Sequence, residues 1–325
     1  MAKIIVVAEY REQPSEGMQV ISKTLVDALR SSRHCVRVVE PGGLKALGLA
    51  LARVRPDVVL FTHGPGPGVV KMSFLLRVLL RAKIIWIATR PDLESVPGWL
   101  RGRRTANVVV CNQRRPDLDS VARGASFVEK FIGIDPARVR CCTDVSHPWP
   151  DLVVPGRPVL LHVGHLKRNR GLEMLAEAKR ELGGRIEVVV QGGPAIPPDP
   201  GVVEELESAG VHVRRTFEPS LRRLYEAADL YVFPVQHAAA GAIELPLGVL
   251  EAIANQTPVL TTEFGVLKQA LSEERGVTFV GKEGFTPALQ ALLDDGGLAV
   301  KPSGLPEHLN SDRTVEAVLQ LVGTV

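Results

Sequence analysis

Two glutamates, Glu244 and Glu251, stand in a stretch that is otherwise apolar: Ala242-Ile-Glu-Leu-Pro-Leu-Gly-Val-Leu-Glu-Ala-Ile-Ala254. Between Glu244 and Glu263 no charged residue occurs except Glu251. A carboxylate on an apolar helix is costly to bury alone. It must meet a cation or the hydroxyls of a ligand, unless it faces solvent. Pro246 suits the first turn of a helix, which predicts a helix from there to about Asn255. Its free amides, near Leu247, Gly248 and Val249, then offer a site for phosphate, with a dipole contribution on the order of 0.3–1 kcal/mol.

A second cluster is His162-Val-Gly-His-Leu-Lys-Arg-Asn-Arg-Gly171. Three cations and His165 follow Gly164 just past an apolar run and just before a helical pattern. Lys167, Arg168 and Arg170 could neutralise a diphosphate leaving group, each charged contact being worth about 1.5–3 kcal/mol. A solvated basic loop fits the same residues. In the first half His63 follows an apolar run, where a ligand-facing histidine and an ordinary loop histidine look alike. The segment Lys71-Met-Ser-Phe-Leu-Leu-Arg-Val-Leu-Leu-Arg-Ala-Lys83 is apolar with interspersed cations. It reads as a core helix with snorkelling cations, or as one lying on an anionic membrane. Arg101-Gly-Arg-Arg104 reads as a solvated loop or a contact for an anionic acceptor.

Other chemistries are excluded by their missing parts. Gly64-Pro-Gly-Pro-Gly68 has two G-x-G pairs, but Val69 or Lys71 stands where a dinucleotide loop needs its third glycine. That prolyl loop reads as a simple turn, with anion binding as the alternative. Gly276 to Lys282 fits G-x-x-x-x-G-K, yet Glu283 replaces the magnesium-binding Ser or Thr, and Val-Thr-Phe-Val between them reads as a strand. No H-E-x-x-H or G-x-S-x-G is present.

The elements that must carry these residues alternate along the chain. Apolar runs at Ile4–Ala8, Val36–Val39, Val58–Phe61, Ile84–Ala88 and Val108–Cys111 read as strands, with helical patterns at Met18–Leu29 and around Val70–Leu80. Continuous apolar runs of this length suit strands buried on both faces of a parallel sheet. Prolines 148, 150, 155 and 158 interrupt the rhythm and mark a linker. It then resumes with strands at Val159–Val163, Ile186–Val190, Val211–Arg214, Leu230–Phe233, Val259–Thr262 and Val277–Val280, and a helix at Leu172–Leu182. The expectation is an α/β protein of two Rossmann-like domains, residues 1–150 and 151–325, facing across a cleft where strand C-termini bind ligand. The last helix, about Asp312–Leu321, is expected to pack back on the first domain.

Composition agrees with this. The 325 residues include 39 Lys and Arg against 36 Asp and Glu, a net charge of +3. Such a balance suits anionic small ligands but lacks the dense basic stripe of a nucleic-acid binder. Cys35, Cys111, Cys141 and Cys142 have no C-x-x-C spacing, so a zinc site is not expected and buried reduced thiols are. The chain runs from Met1 straight into a strand with no secretory pattern. No run approaches about 18 uncharged apolar residues. A cytoplasmic protein, at most peripheral to the inner face of a membrane, is expected.

The second half carries a resemblance. Val163-Gly-His-Leu followed by Arg170-Gly-Leu-Glu-Met-Leu-Ala-Glu-Ala178 resembles the opening of the donor domain in family 4 glycosyltransferases. Leu224-Tyr-Glu-Ala-Ala-Asp229, Leu230-Tyr-Val-Phe-Pro234, then Leu247-Gly-Val-Leu-Glu-Ala-Ile-Ala254 and Thr257-Pro-Val259 are similar to that family's next segments in the same order. The likeness is collinear from about 159 to 280. In the first half it is thinner, resting on a strand and a polar loop ending Glu16-Gly17-Met18.

This resemblance implies a GT-B fold and a retaining, hexosyltransferase-like reaction that draws a sugar from a nucleoside-diphosphate sugar. No metal or further cofactor is implied, since positive groups would stabilise the departing diphosphate. Glu251 would hold the donor ribose hydroxyls, and Arg170 would stand in for the family's diphosphate-binding lysine. Gly164, Lys167 and the 247–249 amides would complete the donor site. Glu244 would lie near the transferred sugar, with Gly17, His63 and Arg90 on the acceptor side. The acceptor would be a sugar, a lipid-linked or a small-molecule hydroxyl compound. Three departures accompany the likeness. His165 replaces an arginine. Ile243 occupies the position of the first glutamate, so that Glu244 is one residue closer to Glu251. Thr89-Arg90-Pro91-Asp92 stands where a histidine is usual. These departures favour the alternative of a non-catalytic nucleotide-sugar-binding homologue that partners another transferase. A two-domain dehydrogenase or epimerase is a third reading, opposed by the missing G-x-G-x-x-G.

Overall fold

The computed structural model of the chain describes residues 1–14, 16–41, 44–139, 148–149, 151–216, 218, 220–236 and 243–324, with backbone alone at 44–46, 49, 138 and 139. Contacts divide it into two compact units, Met1–Gly133 with Gly241–Leu245 and His308–Val325, and Ile134–Ala240 with Pro246–Glu307.

The first unit runs β1 (Lys3–Val7), α1 (Gly17–Ser31), β2 (Cys35–Val39), α2 (Leu44–Val54), β3 (Val58–Phe61), α3 (Pro67–Leu79), β4 (Lys83–Ala88), β5 (Val108–Cys111), α4 (Pro116–Val121) and β6 (Ser126–Glu129). All strand pairs are parallel, in the order β2-β1-β3-β4-β5-β6. Strands β3 and β5 are buried along their whole length, as uninterrupted Val, Leu and Phe runs require when helices cover both faces. The one polar group of Trp86, deep in this core, donates from Nε1 to Ser73 Oγ at 2.8 Å. Order reverses between β1 and β3, so the loops after those strands flank the unit's switch point, where open α/β sheets bind ligands.

The second unit runs β7 (Val159–Val163), α5 (Leu172–Leu182), β8 (Glu187–Gln191), α6 (Val202–Ser208), β9 (His212–Arg214), α7 (Leu221–Glu226), β10 (Leu230–Phe233), α8 (Leu247–Ala254), β11 (Val259–Thr262), α9 (Leu267–Leu271), β12 (Val277–Val280) and α10 (Phe285–Asp294). Its sheet is also parallel, β12-β11-β10-β7-β8-β9, with the switch point between β7 and β10. Leu160, Val188, Val190, Leu230, Val232 and Leu260 form the sheet's contribution to the core. The stretch Val277–Val280 is a strand, as read, and no phosphate loop.

The last helix, α11 (Ser311–Gly323), belongs to the first unit. Thr314 Oγ1 donates to the Phe131 carbonyl at 3.1 Å, and Lys83 Nζ to the Leu321 carbonyl at 2.7 Å. Gly133 lies so close to Leu309 that a Cβ there would overlap its backbone at 1.7 Å. Among the described residues no helix is long and apolar enough to cross a membrane. The cysteines depart from the expectation of uniform burial. Cys111 is buried, its thiol pushed up to about 12 chiefly by desolvation, whereas Cys35 is exposed at the start of β2. Cys141 and Cys142 lie outside the described residues.

Candidate functional site

In the second unit the chain leaves β7 at Val163 and reaches α5 through a short turn, Arg168–Arg170. Gly171 ends that turn at φ 69°, and a Cβ on it would lie 2.2 Å from the Pro234 carbonyl oxygen. Only glycine fits both the left-handed backbone and the close approach. Gly164 is held by its amide on the Gln191 carbonyl at 3.1 Å, against the ring of His162. His162 is buried, with Nδ1 2.9 Å from the Val232 carbonyl. A carbonyl only accepts, so Nδ1 carries the proton and Nε2 keeps its lone pair. That Nε2 is buried with no hydrogen-bond partner and faces Gly164. Burial above all, then the nearby charges of Arg170 and His165, lowers the imidazole to about 4. Gly164, His165 and Arg170 are thus gathered around one neutral histidine. The other two cations are otherwise engaged. Lys167 Nζ pairs with Asp199 Oδ1 at 2.8 Å, and Arg168 meets the Pro200 carbonyl at 2.9 Å and Glu205 at 3.4 Å.

Pro246 is the N-cap of α8 and not its first turn, with the helix spanning Leu247–Ala254. No side chain caps this end, and the Val249 amide turns back to the Pro246 carbonyl at 3.2 Å. That bond engages Val249, whose amide the sequence offered to phosphate. Gly248 lies under Tyr231, whose hydroxyl oxygen would sit 2.4 Å from a Cβ at this position. The same hydroxyl donates to the Val163 carbonyl at 3.4 Å, joining the start of α8 to the end of β7.

Glu251 is buried and does not face solvent. Its Oε2 accepts a hydrogen bond from Tyr225 Oη at 2.9 Å, so the partner that the apolar context demands includes a neutral phenol. Tyr225 and Tyr231 pack with ring centroids 5.5 Å apart, and Tyr231 stacks at 18° on His162. Burial and then the charge of Glu251 raise the Tyr231 phenol. A chain of aromatic contacts therefore runs from Glu251 to the end of β7.

In the first unit, Gly17 opens α1 with Glu16 as N-cap, while His63 and Arg90 follow the neighbouring strands β3 and β4. Backbone bonds fix the second loop: the Arg90 amide reaches the Gly64 carbonyl at 3.3 Å and the Asp92 amide the Pro65 carbonyl at 2.9 Å. His63 Nδ1 is buried without a hydrogen-bond partner. Desolvation lowers this imidazole first, with Glu9 raising it and Arg90 lowering it. Desolvation raises Glu16, helped by Glu9 and opposed by Arg90. The predicted Gly17, His63 and Arg90 are brought together, with Glu9 and Glu16 among them.

Glu244 belongs to this same unit. Its amide donates to the Thr89 carbonyl at 2.9 Å, and its buried carboxylate binds Arg115 and accepts from Asn112 Nδ2 at 3.3 Å. Desolvation raises it more than Arg115 and Asn112 lower it.

Residues 157–295 match the family described as glycosyl transferases group 1. The match covers less than half of the chain's 325 residues. Two proteins named D-inositol 3-phosphate glycosyltransferase align with the chain. One, from Xylanimonas cellulosilytica, is 31% identical over 152 residues, 43% of this chain and 35% of its own length. The other, from Corynebacterium urealyticum, is 32% identical over 167 residues, 46% and 38% of the two chains. The alignments thus span little more than a third of these relatives. Sucrose-phosphate synthase from Thermosynechococcus elongatus superposes over 100% of this chain and 99% of its own at TM-score 0.76 and 14% identity. Anabaena HepE, in complex with UDP and glucose, covers 100% of both chains at 0.70 and 14%. At such identities the likeness is one of fold, and the fold is GT-B.

The stretch that matches this family holds the β7 turn, the α8 start and Glu251. Sequence reasoning named those but missed His162, Tyr225 and Tyr231, which support them from beneath. Two of the chain's 3 tyrosines, Tyr225 and Tyr231, lie 20–26 residues before Glu251, and no local pattern links them to it. Glu9 and Glu16 were legible as the first acids past β1 and before α1. Chemically, an arginine can meet an anion, the free amides of a helix start a phosphate, and a carboxylate the hydroxyls of a polyol.

Proposed function

We propose that the chain is a retaining family 4 glycosyltransferase that moves a sugar from a nucleoside-diphosphate sugar to a hydroxyl acceptor. The observation that carries this reading is the meeting of Arg170, Gly164 and the α8 start around His162 and Tyr231, inside the stretch that matches the group 1 family. Arg170 and the first amides of α8 neutralise the departing diphosphate, which removes the need for a metal ion. Glu251 accepts the ribose hydroxyls. A carboxylate has about four lone-pair sites, so it does this while keeping the bond from Tyr225. Glu244, fixed by Arg115 and Asn112, accepts from a hydroxyl of the transferred sugar.

The acceptor lies against Gly17, His63 and Arg90. Its class is a sugar or other polyol, small or lipid-linked. The two relatives named for inositol phosphate support a polyol, and the neighbour bound to UDP and glucose supports uridine in the donor. The reading places the chain in peripheral contact with the bilayer that presents such an acceptor; among the described residues no helix is long and apolar enough to cross it.

The first experiment is a thermal-shift panel of UDP, GDP, ADP and NAD. A diphosphate at about 100 times its Kd adds roughly 2.7 kcal/mol of stability, a rise of about 4 °C for a chain of this size. Stabilisation by one nucleoside diphosphate, and turnover of the matching sugar donor, is the expected result. Stabilisation by NAD alone, or by nothing, overturns the proposal.

A further inference from the structure

Helix α3 is apolar on two faces. Val69, Val70 and Leu76 are buried with Ser73 against the sheet, yet Leu75, Val78 and Leu79 are 52%, 69% and 75% exposed. A surface helix ordinarily turns charged residues outward. Here the outward positions, three and four apart and hence neighbours on one face, are aliphatic. Trp99, in the short turn Gly98–Leu100, is 59% exposed and packs edge-on against Phe74 with centroids 5.8 Å apart. Its ring extends the apolar patch beyond the helix. The expectation of a core helix therefore holds for one side of α3 only.

The rim of the patch is basic. Lys71, Arg81, Arg101, Arg103 and Arg104 are all exposed. No acid occurs from Lys71 to Arg81 or from Trp99 to Arg104. Burial lowers Arg77, and the nearby charge of Arg104 lowers it further, so like charges are crowded on this face. An apolar centre with a cationic rim and an indole beside it is complementary to a bilayer with anionic headgroups: the aliphatics enter the acyl boundary while the cations stay among the phosphates. A protein partner of ordinary composition has no such demand for one sign of charge.

We propose that this face of the first unit docks on an anionic lipid surface, with Leu75, Val78, Leu79 and Trp99 inserted and the arginines of 101–104 at the headgroups. This deepens the reading of a transferase acting at a membrane and rests on it for its biological sense, but its test is independent of turnover. Trp86 and Trp149 are 1% exposed, so Trp99 is the tryptophan that reports on the surface. The full chain is mixed with vesicles of phosphatidylcholine, with or without phosphatidylglycerol, while tryptophan emission and co-sedimentation are followed.

The expected result is a blue shift and co-sedimentation with the phosphatidylglycerol vesicles alone, weakening as salt rises. R103E/R104E and V78S/L79S each reduce binding at least tenfold, and W99F abolishes the blue shift while still sedimenting. Failure to bind anionic vesicles, or binding untouched by both double variants, overturns the proposal. So does a concentration-dependent dimer that V78S/L79S dissociates in the absence of vesicle binding, since the occupant is then a second copy. The UDP thermal shift is measured on the same samples. Lost vesicle binding with the shift intact sinks the surface alone, and vesicle binding without a nucleotide shift sinks the transferase reading alone.

Discussion

Tyr225 Oη lies 2.9 Å from Glu251 Oε2, so a carboxylate in the most apolar helix of the second unit is steadied by a phenol from the helix α7. Removing that donor leaves a buried charge short of a hydrogen bond, which costs about 1–3 kcal/mol, more for a charged acceptor. Tyr225→Phe is expected to lower stability by about 2 kcal/mol in urea unfolding and to raise the donor KM modestly. If Glu251 holds the donor ribose as proposed, Glu251→Ala should raise the donor KM by far more, because it would remove that contact. Equal effects of the two changes on KM would assign Glu251 to the scaffold and not to the donor.

Gly248 carries the second prediction. A Cβ there meets the Tyr231 hydroxyl at 2.4 Å and its ring carbon at 3.2 Å. Gly248→Ala should therefore destabilise by roughly 1–3 kcal/mol through overpacking. Tyr231→Phe removes the oxygen that clashes most, so the double variant should regain much of the loss. The check is a double-mutant cycle by chemical unfolding, and an additive cycle would mean that the strain is relieved elsewhere.

What the sequence made legible follows from how local each signal was. Strands β7, β10, β11 and β12 and helix α5 match their predicted bounds because short clusters of apolar and β-branched residues, or one amphipathic face, define them without help. Strand β6 was missed since Ser126-Phe-Val-Glu129 lies at the sheet edge, half-wet, and shows no apolar run. The candidate site could be proposed where it lies on one loop or helix, as at Gly164, Arg170 and Glu251. It was illegible where partners come from distant positions. Lys167 meets Asp199, and Arg168 meets Pro200 and Glu205, some thirty residues on, contacts that no local pattern revealed. The need of Glu251 for a partner could be read, but its identity as Tyr225 required the packing of α7 on α8. Likewise nothing near Glu244 announced Arg115.

His162 predicts a loss of stability in acid. Its value in the folded chain is about 4 against 6.5 for an ordinary histidine, because burial favours the neutral ring. The unfolded chain then binds a proton that the folded chain refuses. The stabilisation is fully present above pH 6.5 and is lost as pH falls from there through about 4. A tenfold difference in proton affinity is worth about 1.4 kcal/mol, so this one buried group contributes on the order of 3 kcal/mol. His162→Phe should flatten the stability curve between these limits in urea titrations at stepped pH, and an unchanged slope would place the acid sensitivity elsewhere.

Glu244 has the opposite sign and separates stability from function. Burial raises its carboxyl above the ordinary value despite Arg115 and Asn112. The folded chain therefore binds this proton more readily than the unfolded chain. Stability from this group is greatest at low pH and declines as pH rises through the folded value. Glu244→Gln removes the buried charge but keeps an oxygen for Asn112, and Arg115 retains Asp117 at 2.7 Å. The amide should accordingly leave stability at neutral pH unchanged or raise it by about 1 kcal/mol, within the range of typical single substitutions. Sugar transfer by the same variant should fall about a hundredfold, roughly 2.7 kcal/mol of transition-state stabilisation, with little change in the UDP thermal shift. Such a pattern, a sturdier protein that binds nucleotide but transfers poorly, marks a carboxylate kept for chemistry. If Glu244→Gln instead unfolds easily and transfers normally whenever folded, the carboxylate serves only to anchor its segment to Arg115.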